Sequence, residues 1–124
     1  MKTAGLDILI VDDASFIVTR LNEMLSELPY VNKVNHAGSY NQALHYLSVE
    51  KPHLILMDIQ LPETSGIELL KFVKLNYPFI KNVILTNQVS KSYQDICTRE
   101  GCDHFIDKSS EFEKIPSILK TYLN

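Results

Sequence analysis

The amino-acid sequence predicts an α/β fold: a doubly wound, five-stranded parallel sheet in the order 2-1-3-4-5, with helices on both faces. Short apolar runs alternate with longer amphipathic stretches along the 124 residues. Alternating strands and helices favour a parallel sheet with right-handed crossovers. The strand-like runs are almost continuously apolar, which is typical of strands covered on both faces. Because no repeat, linker or low-complexity segment interrupts the pattern, we expect residues 1–124 to form a single domain.

Five segments carry the strand signal. The strongest are Leu6–Val11, Leu54–Met57 and residues 83–85, because each is a nearly unbroken apolar run. Weaker signals lie at Val31–Ala37 and residues 103–107. In the order 2-1-3-4-5 the first and third strands are neighbours at the topological switch point, which is where ligands bind in folds of this kind.

Five helices are expected between and after these strands. The first has apolar residues at helical spacing from Phe16 to Leu28 and stops at Pro29. The last is expected to begin near Pro116, since proline suits a first helical turn, and to include Leu123. The other three can each begin at a serine, whose hydroxyl accepts a backbone N–H bond. These serines are Ser39, Ser65 and Ser90.

Composition restricts the partners and the location that we expect. The chain carries 12 Lys and Arg against 15 Asp and Glu, for a net charge of −3. Only Arg20 and Arg99 are arginines, so we expect no nucleic-acid binding by this domain. No apolar run approaches the roughly 20 residues of a membrane span, so we expect a cytoplasmic protein without membrane contact. Cys97, Cys102 and His104 have no second ligand pair, which favours reduced thiols beside a turn over a zinc site.

Polar side chains follow the predicted strands at one edge of the sheet. Asp12 and Asp13 come directly after the first strand, and Asp58 follows the third. Thr86 and Lys108 follow the fourth and fifth strands. Three neighbouring carboxylates repel one another unless a cation intervenes, and hard oxygen ligands with room for water fit Mg²⁺. Single strand-end acids can instead cap the next helix, but five polar residues at one edge favour a site.

The sequence resembles the receiver domain of two-component response regulators, the CheY-like family with a flavodoxin-like fold. The resemblance extends over the whole chain, in order and at the family's spacings. Its residues are ILIVDD at 8–13, LILMDIQLP at 54–62, Ser65, Gly66, Thr86 and Lys108. The resemblance implies a signalling module with slow self-phosphorylation and dephosphorylation, rather than a conventional enzyme. It also implies a histidine kinase or histidine phosphotransfer protein as donor, and an effector protein or attached output domain as target.

The resemblance also assigns expected roles to single residues. Asp58 would accept the phosphoryl group, while Thr86 and Lys108 would contact it. Thr86 and Phe105 would form a switch that changes the surface around the fourth helix, fifth strand and fifth helix. The expected Mg²⁺ ligands are Asp12, Asp13, Asp58 and the main-chain carbonyl of Gln60.

Two departures from the family keep other functions open. Ser109 stands where the family commonly has a proline, often after a cis peptide, and a cis Lys108–Ser109 bond would cost roughly 3 kcal/mol. Asn87 stands where a small residue is usual. The alternative is therefore a receiver-like interaction module that works without phosphorylation. A Mg²⁺-dependent phosphatase of similar fold would need an acid two residues after Asp58, where this chain has Gln60.

Overall fold

One parallel sheet organises the computed structural model, which describes residues 5–87 and 90–123. Its strand order is β2-β1-β3-β4-β5 and its neighbouring strands pair in parallel, so the predicted topology is confirmed. The strands are β1 (Leu6–Val11), β2 (Val31–Ala37), β3 (Leu54–Met57), β4 (Lys81–Thr86) and β5 (His104–Asp107).

A helix follows each strand, and the predicted serine caps are confirmed. Ser39 accepts a hydrogen bond from the backbone of Gln42 at 3.1 Å, and Ser90 accepts one from Tyr93 at the same distance. The side chain of Ser65 likewise accepts the Ile67 N–H. The helices are α1 (Ser15–Ser26), α2 (Tyr40–Val49), α3 (Gly66–Asn76), α4 (Lys91–Arg99) and α5 (Ile115–Lys120).

The boundaries of the helices and strands differ from the predictions in three places. Strand β4 begins two residues earlier than predicted and includes Thr86. Helix α5 ends at Lys120, and the Leu123 N–H bonds the Lys120 carbonyl in a tighter i to i+3 turn. A single 3₁₀ turn at Phe112–Lys114 precedes α5, so helical structure begins before Pro116. These short turns satisfy helix-end groups locally and leave little trace in hydrophobic periodicity.

Helices cover both faces of the sheet, as predicted. Helices α1 and α5 bury Leu21, Leu25 and Leu119 against one face. Helices α2, α3 and α4 cover the other face, where α3 buries Leu69, Leu70 and Val73. On β1 the side chains alternate between the two cores, with the even-numbered residues facing α1 and α5. In residues 5–87 and 90–123, no helix is long and apolar enough to cross a membrane.

Sheet hydrogen bonding continues past the strand ends and aligns the residues of the carboxyl edge. The Asp12 N–H donates to the Ala37 carbonyl at 3.1 Å, and the Asp58 N–H donates to the Val11 carbonyl at 3.0 Å. The Lys108 N–H donates to the Thr86 carbonyl at 3.0 Å. The backbones of Asp12, Asp58 and Lys108 are therefore held at the same edge of the sheet before any side-chain contact is considered.

Candidate functional site

The ammonium of Lys108 lies between two buried carboxylates at the carboxyl edge of the sheet. Its Nζ is 2.6 Å from Asp12 Oδ2 and 2.9 Å from Asp58 Oδ2. Lys108 and Asp58 are each 7% exposed, and Asp12 is 1% exposed. Burial by itself lowers the pKa of Lys108, but the hydrogen bonds that Lys108 donates to Asp12 and Asp58 and the negative charge of these carboxylates outweigh it, so this pKa is raised. Lys108 is therefore charged at neutral pH.

Backbone turns orient both carboxylates. Asp12 Oδ1 accepts the Ala14 N–H at 2.9 Å, and Asp58 Oδ1 accepts the Gln60 N–H at 3.2 Å. Each bond spans two residues, which is the Asx-turn pattern that aspartate favours where a strand gives way to a loop. With Oδ1 held by its own loop, Oδ2 of each aspartate is directed to Lys108. The site is thus ordered by local backbone bonds as well as by charge.

Gly66 shapes the backbone beneath Asp58, a role that the sequence analysis did not assign. A Cβ on Gly66 would lie 1.9 Å from the carbonyl oxygen of Asp58. The Gly66 N–H donates to the Ile59 carbonyl at 2.6 Å, so α3 begins directly against the loop that follows β3. Glycine has a low helix propensity. A glycine in the first turn of a predicted helix is therefore the sequence signal that could have indicated a close backbone contact at Gly66.

His36 supports the Asp12 backbone, another contact that the sequence analysis did not single out. His36 Nε2 lies 2.9 Å from the main-chain oxygen of Asp12. Because that carbonyl can only accept, the ring must carry its proton on Nε2 for this bond. The carboxyl end of β2 thus contacts the acidic loop after β1. No sequence pattern signals it, since it depends on strand pairing between His36 and Ile10.

Thr86 and Phe105 lie on adjacent strands, as expected. Thr86 is completely buried at the end of β4, and its Cα partner in β5 is Asp107. Phe105 is half-buried, pairs with Ile84, and packs against the core under α2, α3 and α4. Thr86 therefore lies at the carboxyl edge, and Phe105 lies on the next strand, two residues before the partner of Thr86. Their role as a switch stays a prediction.

Asp13 differs in exposure from the other two carboxylates, which are buried. It is exposed, and the described residues contain no group of three His, Cys, Asp or Glu arranged to hold a metal. Lys108 contacts Asp12 and Asp58, and the place of Asp13 beside them stays a prediction. The carboxylate oxygens still suit Mg²⁺ chemically, because each has a further lone pair.

The loop after Lys108 is ordered by serines. The Lys108–Ser109 peptide is trans. Asp107 Oδ1 accepts from the backbone N–H of Ser109 at 2.9 Å and from its hydroxyl at 2.7 Å, and Ser110 donates to Asp107 Oδ2 at 3.0 Å. The hydrogen bonds from Ser109, followed by those from Ser110, lower the pKa of Asp107. Ser109, which replaces the family's proline, therefore closes the loop through its own hydrogen bonds.

Cys97 and Cys102 flank a turn glycine, as expected. Gly101 has a φ of 97°, and the Cys102 N–H donates to the Cys97 carbonyl at 2.9 Å. This is the Schellman arrangement, which ends α4. Both cysteines are free thiols. Burial raises the pKa of Cys97 to about 11, so this thiol stays protonated at neutral pH.

The sheet order and the acidic carboxyl edge define a class of doubly wound α/β domains with a polar site at the switch point. The family model described as the response regulator receiver domain matches residues 8–120. The chain therefore belongs to the receiver-domain family of response regulators, the CheY-like class of two-component signalling.

Curated relatives of the chain are longer proteins. The response regulator protein VraR of Staphylococcus saprophyticus is 30% identical over 118 residues, which is 94% of this chain and 56% of that protein. A protein-glutamate methylesterase/protein-glutamine glutaminase of Methanospirillum hungatei is 33% identical over 114 residues, covering 90% of this chain and 33% of that protein. The chain thus spans about half of the first relative and a third of the second.

Solved structures share the fold. The response regulator domain of Thermotoga maritima CheB has a TM-score of 0.82 and 26% identity, covering 94% of this chain and 92% of that one. The phosphorylated cyanobacterial phytochrome response regulator RcpA also has a TM-score of 0.82, with 23% identity, and covers 95% of this chain and 91% of that one. The likeness to RcpA concerns the fold alone.

Proposed function

We propose that residues 1–124 act as one phosphoacceptor receiver domain in which Asp58 accepts a phosphoryl group. The donor is a histidine kinase or a histidine phosphotransfer protein. The observation that carries the proposal is the buried contact between Asp58 and Lys108, with Nζ and Oδ2 2.9 Å apart. A carboxylate held beside a fixed cation at the edge of a sheet is a suitable nucleophile for phosphoryl transfer, in which positioning and charge neutralisation dominate catalysis.

The proposed transfer uses residues that are already in place. An oxygen of Asp58 attacks phosphorus in line, the P–N bond to the donor histidine breaks, and an O–P bond forms on Asp58. Lys108 carries three N–H donors, so during the transfer it can donate a hydrogen bond to a phosphoryl oxygen in place of the one to the carboxylate. We propose that the hydroxyl of Thr86 contacts another phosphoryl oxygen. Hydrolysis reverses the state when water attacks phosphorus, which releases phosphate and restores the Asp58 carboxylate.

We propose that Mg²⁺ is held by Asp12, Asp13, Asp58 and the main-chain carbonyl of Gln60. The ion would supply positive charge to the phosphoryl oxygens. Two carboxylates and one ammonium leave a net charge of −1 at Asp12, Asp58 and Lys108, which supports binding of a cation. Asp13 adds a further carboxylate next to Asp12, and its exposure leaves it able to reorient.

We propose that phosphorylation changes the surface formed by α4, β5 and α5. A phosphoryl group adds nearly two negative charges and new acceptor oxygens at Asp58. Movement of Thr86 toward those oxygens would vacate space that the half-buried ring of Phe105 can occupy. The surface that changes would be read by a downstream effector protein or an attached output domain. We propose that Asn87, which is exposed beside Thr86, shields the phosphoryl group from water.

A receiver-like module that works without phosphorylation remains the second candidate. It is favoured by Ser109, which closes the loop after Lys108 in a way that differs from the family pattern. The two candidates differ in a single measurable property, which is whether Asp58 is modified by a phosphoryl donor.

The deciding experiment is incubation with acetyl phosphate and Mg²⁺, followed by intact-mass measurement. We expect one added phosphoryl group that hydroxylamine removes, because an acyl phosphate reacts with that nucleophile. Asp58→Asn keeps the shape but lacks the nucleophilic carboxylate, so it should not be labelled. Asp95→Asn, an exposed carboxylate on α4, is the matched control and should be labelled like the wild type. Labelling that persists in Asp58→Asn contradicts the assignment, and no labelling of the wild type favours the second candidate.

A further inference from the structure

A cavity lies at the opposite end of the sheet from Asp58, and we call it the amino-end pocket. Its volume is about 410 Å³. It opens where β1, β3 and β4 begin. Its lining includes the apolar Leu6 and Leu54, the aromatic Phe79 and Tyr122, and the cationic Lys51 and Lys81. Leu54 begins β3 and Asp58 follows its end, so four residues of strand, roughly 13 Å, separate the two sites.

The polar groups of the amino-end pocket are donors. In the part of the chain that the structure describes, neither Lys51 nor Lys81 forms an ion pair with a carboxylate. The Lys51 ammonium donates one of its three N–H groups to the Leu47 carbonyl. The third polar side chain is His53, whose Nδ1 accepts the Asp7 N–H at 2.9 Å. A neutral His53 therefore carries its proton on Nε2, which is a donor. The lining contains no Asp or Glu, so the pocket is electrostatically matched to an anion.

Nearby carboxylates are held by other partners. Asp7 Oδ1 accepts from the side chain of Asn32 at 2.8 Å, on the β2 side of β1. Asp103 Oδ2 accepts the backbone N–H of Asn82 at 2.8 Å. These bonds direct both carboxylates to the backbone or to β2. Both carboxylates keep their negative charge, and that of Asp103 acts on Tyr122, but neither lines the pocket, whose charged side chains are Lys51 and Lys81.

The aromatic walls combine one fixed ring with one exposed ring. The Tyr122 hydroxyl lies 2.8 Å from Nδ1 of His104, and the two rings pack edge to face at 5.8 Å. Burial, aided by the charge of Asp103, raises the pKa of Tyr122 to about 12, so the hydroxyl stays neutral. Phe79 is 63% exposed and packs edge to face with Tyr77 at 6.4 Å, so much of its ring is accessible to a ligand.

We propose that the amino-end pocket binds a small organic anion. Its carboxylate would lie between Lys51 and Lys81, and its aromatic or aliphatic body would pack against Phe79 and Tyr122. The volume of about 410 Å³ is within the range of roughly 300–1,000 Å³ that small-molecule sites occupy. An apolar surface with a few convergent polar groups is also the usual make-up of such sites. This site is independent of phosphoryl transfer at Asp58.

Titration of the ¹⁵N-labelled 124-residue chain with 3-phenylpropionate tests the proposal by NMR. This probe carries one carboxylate and one phenyl ring, and 3-phenylpropanamide is its neutral match. We expect saturable shifts at the amides of Leu54, Lys81 and Tyr122, with a dissociation constant on the order of 1 mM. The amide should bind about ten-fold more weakly, as should the Lys51→Gln/Lys81→Gln variant toward the acid.

Two controls keep the result specific. Lys91→Gln removes a lysine on α4, distant from the pocket, and should leave the dissociation constant unchanged. Phe79→Ala should weaken the acid and the amide alike, because it removes apolar contact only. Equal affinity for acid and amide, unchanged affinity in the double lysine variant, no saturable shift, or shifts confined to the loops around Asp58 and Lys108 would each overturn the proposal. Acetyl phosphate labelling of Asp58 should be normal in the double variant, so the two proposals fail separately.

Discussion

At the scale of single residues, Lys108 explains how two aspartates can be buried side by side. An unpaired carboxylate in the interior loses its hydration and would be protonated or expelled. The contacts of Lys108 with Asp12 and Asp58 avoid both outcomes. From the sequence, Lys108 could be placed at the edge of the sheet, but its burial could not be predicted, because a lysine at a strand end is commonly solvated. Its burial depends on the distance between β1, β3 and β5, which local sequence does not encode.

Replacing Lys108 with methionine should therefore destabilise the fold. The change keeps much of the side-chain volume but leaves Asp12 and Asp58 without their cation, and breaking a buried ion pair from one side costs about 3 kcal/mol. Urea unfolding followed by circular dichroism suits the measurement, since the chain has no tryptophan. A metal chelator should be present, because a bound divalent ion could replace the missing charge.

The control for this prediction is Lys91→Met on α4. Lys91 is exposed and lies 3.4 Å from Asp95, so its loss should change the free energy of unfolding by at most about 0.5 kcal/mol. Adding Asp12→Asn to Lys108→Met should recover part of the stability, because one of the two unpaired charges is removed. If Lys108→Met and Lys91→Met lowered the free energy of unfolding equally, the buried contacts of Lys108 would not be what stabilises the fold.

Gly66 offers a second prediction at this scale. Gly66→Ala places a methyl group where the Asp58 carbonyl oxygen lies 1.9 Å away, so the start of α3 or the loop must shift. We expect a loss of about 3 kcal/mol in unfolding free energy and slower labelling of Asp58. Gly38→Ala, whose new methyl would be 3.4 Å from the Gln42 side chain, should change stability little. A wild-type labelling rate in Gly66→Ala would mean that this close approach does not position Asp58.

At the scale of elements, the sequence predicted the helix starts that have a serine cap better than the other element boundaries. The caps Ser39, Ser65 and Ser90 were predictable because a serine hydroxyl satisfies a helix donor locally. The end of α5 was not, because Tyr122 and Leu123 continue the apolar pattern while their backbones form i to i+3 bonds. Their side chains pack against the core from outside the helix. Apolar periodicity reports burial, and it cannot tell a helix from a tight turn that buries the same residues.

Helix α4 should be the least stable of the longer helices. It has nine residues and its only buried side chain is Cys97, whereas α3 buries Gly66, Leu69, Leu70 and Val73. Local opening is easier where fewer apolar contacts are lost. Hydrogen exchange followed by NMR should therefore show faster exchange of α4 amides than of α3 amides under the same conditions. Equal protection of the two helices would argue against α4 as a mobile part of the output surface.

At the scale of the whole molecule, the sheet order determines which residues meet. Adjacency of β1 and β3 brings Asp12 to Asp58, and the position of β5 brings Lys108 to both. The sequence predicted this edge because parallel strands place their carboxyl ends together. It did not predict the direct contacts of Lys108 with Asp12 and Asp58, since these depend on the spacing of three strands. It also gave no sign of the amino-end pocket, whose lining comes from separate loops.

The same connectivity carries the proposed signal. Thr86 and Phe105 lie on the neighbouring strands β4 and β5, and Phe105 packs toward the core under α4. Asp58 follows β3, and β4 and β5 are the next two strands of the sheet. These two strands therefore lie between a charge added at Asp58 and the surface that includes α4. If phosphorylation switches the molecule, residues on α4, β5 and α5 must change environment together although none of them receives the phosphoryl group.

The most direct test is an NMR comparison of the chain with and without beryllofluoride, which mimics a phosphoryl group on aspartate without turnover. We expect changes around Asp58 and Lys108, and also at the ring of Phe105 and the amides of α4. Asp58→Asn should abolish all of them, because the mimic needs the carboxylate. Changes confined to the loops around Asp58 and Lys108, with Phe105 and α4 unaltered, would contradict a receiver that transmits its phosphorylation through this surface.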